Sequence, residues 1–317
     1  MTLIDIAEIE AAAKAVADTC LRTPVLPVAA KGGRGSLWAK AECLQPTGAF
    51  KLRGATNAVA SLNEDQRAAG VVTHSSGNHG QAVAFAATAA GVKATVVMPD
   101  GAAQVKVDAT RQWGAEIVMV PVDERLSTCA DIAARTGAEI IAPFDDARVI
   151  AGQGTVGLEI IDQVPDVSVV LVPVGGGGLI SGVAAAVKER RPEVQVIGVE
   201  PELAGDLAEG FHAGTHATWS TERTTRTIAD GLRGASVGAL NWAHIQAYVD
   251  DVVTVSEDAI RASMRDIATR CRVVAEPSGA VAAAAYVERG DDLPAGTTVA
   301  VVSGGNVDPA VLAAVLA

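Results

Sequence analysis

A lysine sits in LQPTGAFKLRGATNAV, residues 44–59, with glycine and phenylalanine close before it and an apolar, helix-like run after it. A lysine in water keeps its charge, whereas one enclosed in an apolar cleft sheds its proton and can act as nucleophile or base. Lys51 therefore reads either as a surface charge ahead of a helix or as a reactive amine. A second stretch, VPVGGGGLISGVAAAV, places four glycines between a buried strand and a helix. Gly175, Gly176, Gly177 and Gly178 let backbone N–H groups converge, and the helix starting near Leu179 adds the positive end of its dipole. That describes a phosphate cup. No Lys-Ser/Thr pair follows, so it is not a Walker A loop, and the third glycine of G-x-G-x-x-G is missing. A dinucleotide reading stays open, because Glu200 ends the next strand about 20 residues on, where a ribose-binding acid sits.

A third stretch, THSSGNHGQAVAFAA, repeats the logic. Ser75, Ser76, Gly77, Asn78 and His79 form a loop at a helix start. They are either ordinary N-caps or a second anion cup suited to a carboxylate. No G-x-S-x-G occurs, and His79 has no evident nucleophile partner, so a serine hydrolase is not expected.

The elements that must position these loops alternate along the chain. Apolar runs of strand length (GVVTHSS, KATVVMP, AEIVMVP, EIIAPFDD, VSVVLVPV, VQVIGVE) are separated by Ala-rich helical stretches. That is the pattern of parallel α/β sheets covered on both faces, whose ligands bind where strands hand over to helices. Residues 54–145 read as one series of strand–helix units, and the chain from 146 onward as a second. Residues 218–238 are polar and irregular, and read as a loop region near a site. The expected fold is α/β and two-lobed.

Composition bounds the function. The 317 residues are 49% hydrophobic and 20% charged, an ordinary globular balance. Only 3% are aromatic, so the core must be built from Val, Ile, Leu and Ala. A net charge of −12 argues against nucleic acid as a partner and gives no support for an electrostatic membrane anchor. Cys20, Cys43, Cys129 and Cys271 are scattered without a C-x-x-C pair, as in a reducing compartment. The N-terminus lacks a secretion signal, and no apolar run is long enough to span a bilayer, so a cytoplasmic protein is expected. His212 and His216 are four apart without an H-E-x-x-H pattern, and are expected in solvent and not on zinc.

Taken together, a lysine beside a glycine turn, a phosphate cup and a carboxylate cup resemble the serine/threonine dehydratase and serine racemase family. These are fold type II pyridoxal-phosphate enzymes, similar to the tryptophan synthase β-subunit. The segments that carry the resemblance are LQPTGAFKLRGA, SSGNHGQA, PFDDARVIAGQGT, VPVGGGGLISG, GVEPELAGD, TIADG and VSGGNVD, in order from residue 44 to 308. The resemblance implies that Lys51 forms the Schiff base with pyridoxal 5'-phosphate and that Phe50 packs on its ring. It implies Asn78 at the 3′ oxygen, Gly175 to Gly178 with Leu179 at the phosphate, and Ser303 at the pyridine nitrogen. Gly231 and Glu276 would line the ring. Ser75, Ser76, Asn78 and His79 would meet the substrate carboxylate, and Arg125 aligns with an arginine that the racemases place near the substrate. The implied architecture is a large cofactor-binding domain from 1–53 and 146–317, with a small mobile domain at 54–145, each a largely parallel twisted sheet flanked by helices.

The implied reaction is loss of water and ammonia from L-threonine, L-serine or a related 3-hydroxyamino acid. A hydroxyl at the ring nitrogen leaves the pyridine uncharged and the carbanion short-lived, which suits prompt β-elimination better than transamination. Ser76 keeps a racemase open: serine racemases carry serine there where many dehydratases carry alanine, and its hydroxyl would lie opposite Lys51. PFDD at 143–146 looks more like the dehydratases, and 3-hydroxyaspartate dehydratases are similar too. Glu200, the Ala204 carbonyl and Asp206 match the family's divalent cation site, where oxygen ligands suit Mg or Ca. Otherwise they form a capped turn. The family further implies a homodimer, and with the sequence ending at Ala317 no regulatory domain is expected. An NAD oxidoreductase and a non-catalytic amino-acid sensor remain as competing readings.

Overall fold

The structure is a computed structural model, and it describes residues 2–28, 36–102 and 104–317. Ten strands fall into two sheets. The six-stranded sheet contains β1 (Val25–Val28), β2 (Leu37–Ala41), β7 (Val167–Pro173), β8 (Gln195–Pro201), β9 (Asp251–Val255) and β10 (Thr297–Val302). Its order is β1-β2-β10-β7-β8-β9. The four-stranded sheet contains β3 (Val71–His74), β4 (Ala94–Pro99), β5 (Glu116–Val120) and β6 (Glu139–Ile140), in the order β5-β4-β3-β6.

All six strands read from the sequence are present, and all pairings are parallel except β1 on β2. The first sheet is therefore mixed at its edge. β1, β2, β9 and β10 add to the six. They are short or lie beyond the clear strand–helix alternation, so period alone does not mark them.

Valine builds the strands because its branched Cβ suits the pleat, and a strand covered on both faces needs no polar alternation. Val169, Val170, Leu171 and Val172 of β7 are fully buried in a row. Alanine and glycine build the helices between the sheets, where backbones must approach closely. A Cβ added at Gly152 would lie 2.6 Å from both the Arg53 carbonyl oxygen and the Gly54 Cα. The helix Ala147–Gln163 thus packs backbone to backbone on the helix Lys51–Ala60.

The strands end on one side. β3 runs out at His74 before Ser75, β7 at Pro173 before Gly175, and β10 at Val302 before Ser303. The carboxyl edges of both sheets face a shared cleft, as open α/β sheets arrange their ligand sites.

Candidate active site

The cleft has a volume of about 540 Å³. Phe50, Lys51, Ser75, Ser76, Asn78, His79, Arg125, Gly175 to Gly178, Leu179, Gly231, Glu276 and Ser303 all line it. Residues from both ends of the chain, the Lys51 amine, the two strand-to-helix loops and the Ser303 hydroxyl, are thereby brought to one place. Glu200, Ala204 and Asp206 are not among the lining residues.

Four of the helices that start at the cleft are Lys51–Ala60, Asn78–Ala89, Gly178–Arg190 and Pro277–Glu288. None has a side-chain cap on its first turn. Asp308, which also lines the cleft, caps the helix Pro309–Leu316, and Asp5, Asn63, Asp146, Ser220 and Ser256 cap helices elsewhere. The first turn of a helix leaves N–H groups unsatisfied and carries roughly half a positive charge. At the Asn78 and Gly178 helices this leaves first-turn N–H groups available to an anionic ligand.

The glycine loop shows why side chains are excluded there. Gly177 has φ +90°, a left-handed conformation that glycine adopts freely. A Cβ at Gly176 would overlap the Phe144 ring, and one at Gly175 would meet the Leu232 Cα at 3.0 Å. The Gly176 carbonyl is turned away by two donors, the Gly238 N–H at 3.0 Å and Asn241 Nδ2 at 2.8 Å. With that carbonyl held outward, the loop is built as a backbone donor cradle. It fits a phosphate group.

Lys51 is the first residue of its helix, and its Nζ donates to the Pro143 carbonyl. Burial lowers its pKa from 10.5 to about 8, so about a tenth of the amine is neutral at pH 7. Asn78 Nδ2 donates to Glu276 Oε1 at 2.7 Å, and Asn306 Nδ2 donates to Asn78 Oδ1 at 2.8 Å. Burial, and then the charge of Asp230, raise Glu276 from 4.5 to about 7. Ser303 is buried at the cleft, and its hydroxyl donates only a long 3.5 Å bond to the Ser278 carbonyl.

His79 is buried with Nε2 3.0 Å from the Ile141 carbonyl, which assigns its proton to Nε2. Burial, followed by the Lys51 charge, pulls its pKa to about 3. It is a neutral imidazole at working pH. Arg125 Nε donates to the Val122 carbonyl, and no carboxylate pairs with Arg125 among the described residues.

Glu200 and Asp206 are buried beside one another, outside the cleft. Burial and then the neighbouring Asp206 charge raise Glu200 well above the carboxylate range, and burial raises Asp206 to about 6. Glu200 accepts from the Ala208 N–H at 2.8 Å and the Leu207 N–H at 3.3 Å, so it caps the helix Asp206–Ala213. Two adjacent buried carboxylates would be relieved by a cation, a donor set that fits Mg or Ca with carbonyl and water oxygens. No group of three or more His, Cys, Asp or Glu is placed to hold a metal among the described residues.

Sequence reasoning missed several lining groups. Lys106 Nζ pairs with Asp230 at 2.7 Å, linking the four-stranded side of the cleft to the other wall. The Ser278 hydroxyl accepts from the Gly231 N–H at 2.9 Å. Phe144 backs the glycine loop. The TIADG stretch could have flagged Asp230, but nothing near Lys106 marks it off from an ordinary surface lysine.

Comparison with known proteins agrees with this geometry. The family described as "Pyridoxal-phosphate dependent enzyme" matches residues 16–304. The catabolic L-threonine dehydratase of Escherichia coli strain K12 is 42% identical over 279 residues, 87% of this chain and 84% of that protein. The serine racemase of Arabidopsis thaliana is 44% identical over 271 residues, 84% of this chain and 80% of that protein. A crystal structure of threonine deaminase from T.th. superposes with a TM-score of 0.89 at 40% identity, covering 96% of this chain and 99% of that one. The dinucleotide reading of the glycine loop falls with these matches. The chain belongs to the pyridoxal-phosphate dependent enzymes of fold type II, in the family that holds the threonine dehydratases and serine racemases.

Proposed function

We propose that the protein is a dehydratase (ammonia-lyase) acting on L-threonine, L-serine or a related 3-hydroxyamino acid, giving a 2-oxo acid and ammonia. The observation that carries the reading is the placement of a desolvated Lys51 amine in one cleft with the uncapped glycine cradle and Ser303. In that reading Lys51 bonds the cofactor aldehyde, Phe50 packs on the ring, and Gly175 to Gly178 with Leu179 hold the phosphate. Asn78 meets the 3′ oxygen, Ser303 the ring nitrogen, and Gly231 and Glu276 flank the ring. When bound, pyridoxal phosphate supplies an electron sink for the bond broken at Cα.

The chain's own groups do the rest. Ser75, Ser76 and the N–H groups that open the Asn78 helix receive the substrate carboxylate. His79, held neutral, contributes shape and dipole and not charge. The Lys51 amine, its pKa lowered by burial to about 8, would take the Cα proton as general base. The β-hydroxyl would leave with one proton as water, and the enamine product would tautomerise to an imine and take up water to give the 2-oxo acid and ammonia. Residues 54–145 form a small mobile substrate-binding lobe, and 1–53 with 146–317 form the large cofactor lobe. Glu200, the Ala204 carbonyl and Asp206 hold Mg or Ca, the assembly is a homodimer, and the compartment is the cytoplasm.

Ser76 lines the same cleft and supports a second activity, racemisation of serine by proton return from the face opposite Lys51. Arg125, with which no carboxylate pairs among the described residues, favours 3-hydroxyaspartate as a further substrate. The test uses purified protein. A yellow colour discharged by borohydride, with the label on Lys51, and 2-oxo acid release from L-threonine or L-serine support the proposal. Absence of label on Lys51 overturns it, and D-serine formation measures the racemase share.

A further inference from the structure

Lys51 makes one side-chain hydrogen bond among the described residues, to the Pro143 carbonyl, so its position is set by the backbone that carries it. Two residues on, Arg53 is 1% exposed. Its Nε donates to Glu42 Oε2 at 2.7 Å and its Nη2 to Glu42 Oε1 at 2.8 Å, a forked pair. On the other side Nη1 donates to Glu159 Oε1 at 2.7 Å and Nη2 to Glu159 Oε2 at 2.9 Å. Thr155 Oγ1 and the Leu21 carbonyl take the remaining bonds, both at 3.1 Å. Every guanidinium N–H is used.

The partners come from separate parts of the fold. Glu42, fully buried, directly follows β2, and Glu159 lies on the helix Ala147–Gln163. Lys40 of β2, also fully buried, donates to Glu159 and, at 2.7 Å, to the Thr23 carbonyl. Two cations and two anions thus neutralise one another beneath the segment that bears Lys51. The Glu42–Arg53 pair closes that segment, residues 43–52, into a ring at its base.

Stability alone is a poor reason for such a cluster. Desolvating two ion pairs costs about as much as their attraction returns, and apolar replacements of equal volume are often as stable. What a forked ion pair gives that apolar packing does not is a fixed angle and distance. We propose that Arg53 is the positioning residue for Lys51. By forking between Glu42 and Glu159 it ties the first turn of the Lys51 helix to the end of β2, which fixes the place of the amine. This rests on the reading of Lys51 as the cofactor-bearing amine.

The test compares holoenzymes. Arg53→Lys keeps the charge but not the fork. Glu159→Gln keeps the shape and one acceptor, and serves if Arg53→Lys does not fold. Val156→Ala, which opens a cavity in an apolar cluster on the same helix as Glu159, is the control for lost stability. An ångström of misplacement costs roughly 100-fold. Arg53→Lys is therefore expected to lower kcat about 30- to 100-fold with KM changed less than about threefold. Borohydride labelling of Lys51 should fall below about half and the visible band of the lysine-bound cofactor should shift its pH midpoint, both read without turnover. Glu159→Gln should move the same readouts in the same direction, and Val156→Ala should leave them unchanged. Wild-type labelling at Lys51 together with an unchanged band, label and kcat in Arg53→Lys or Glu159→Gln overturns the clamp alone. Equal losses in Val156→Ala do the same. No labelling of wild-type Lys51 overturns the reading beneath it.

Discussion

Two strand-to-helix turns face the cleft, and they are built in opposite ways. The turn from β7 into the Gly178 helix is all glycine, and added side chains would strike Phe144 and Leu232. The turn from β3 into the Asn78 helix carries Ser75, Ser76, Asn78 and His79, with a single glycine at 77. A Cβ at Gly77 would find nothing within 4 Å. One turn is closed against its own protein and offers only backbone. The other is open and offers side chains. The first suits a ligand that stays, the second a ligand that comes and goes, because a rigid backbone cradle is preorganised and an open cup leaves room for exchange.

The largest effect should come from the group that both turns serve. Lys51→Ala is expected to lower turnover of L-threonine or L-serine by about 10⁴-fold or more, read as 2-oxo acid release. Next is Glu276, which joins the two sides through Asn78 and is raised from 4.5 to about 7 by burial and then by Asp230. A carboxyl raised in the folded state contributes stability below pH 4.5 that is lost as pH climbs through 7. In cofactor-free protein that loss should be on the order of 3 kcal/mol between about pH 4.5 and 8, and absent in Glu276→Gln, by denaturant titration at each pH.

Ser76→Ala probes the open cup alone. It should reduce D-serine formation by about 100-fold and leave elimination within about threefold. Equal loss of both would remove the role given to its hydroxyl. Gly176→Ala probes the closed cradle, where overpacking against Phe144 should cost about 1–3 kcal/mol and release cofactor, seen as loss of the visible band on dialysis. The smallest effect sharpens the contrast. Gly77→Ala should change stability by no more than about 0.5 kcal/mol and retain the cofactor, with KM as the parameter that moves. If it sheds cofactor as Gly176→Ala does, the two turns are not different in kind.

Much of this was legible in the chain because it is local. A valine run, four glycines and an alanine-rich helix announce a strand, a cradle and a dipole within about 20 residues. The Ser75–His79 turn is local too, and so both cups could be read before any contact was known. What stayed hidden depends on distant pairs. Glu42, Arg53 and Glu159 look like three unrelated charges, and only the packing of two helices onto β2 brings them together. Lys106 and Asp230 are 124 residues apart. The edge strands were missed for a related reason: β1 has four residues, and antiparallel pairing at a sheet edge leaves no strand–helix alternation to detect.

The uncapped helix starts have a practical side. This polypeptide bears −12 overall, so it repels phosphorylated metabolites at a distance. That repulsion fades over roughly 8 Å of physiological saline, whereas the uncapped starts of the Asn78 and Gly178 helices act at contact range in the cleft. Inorganic phosphate or sulfate in a storage buffer should therefore compete with the vitamin for its seat, and reconstitution should run faster in amine-free, phosphate-free organic buffer at moderate salt.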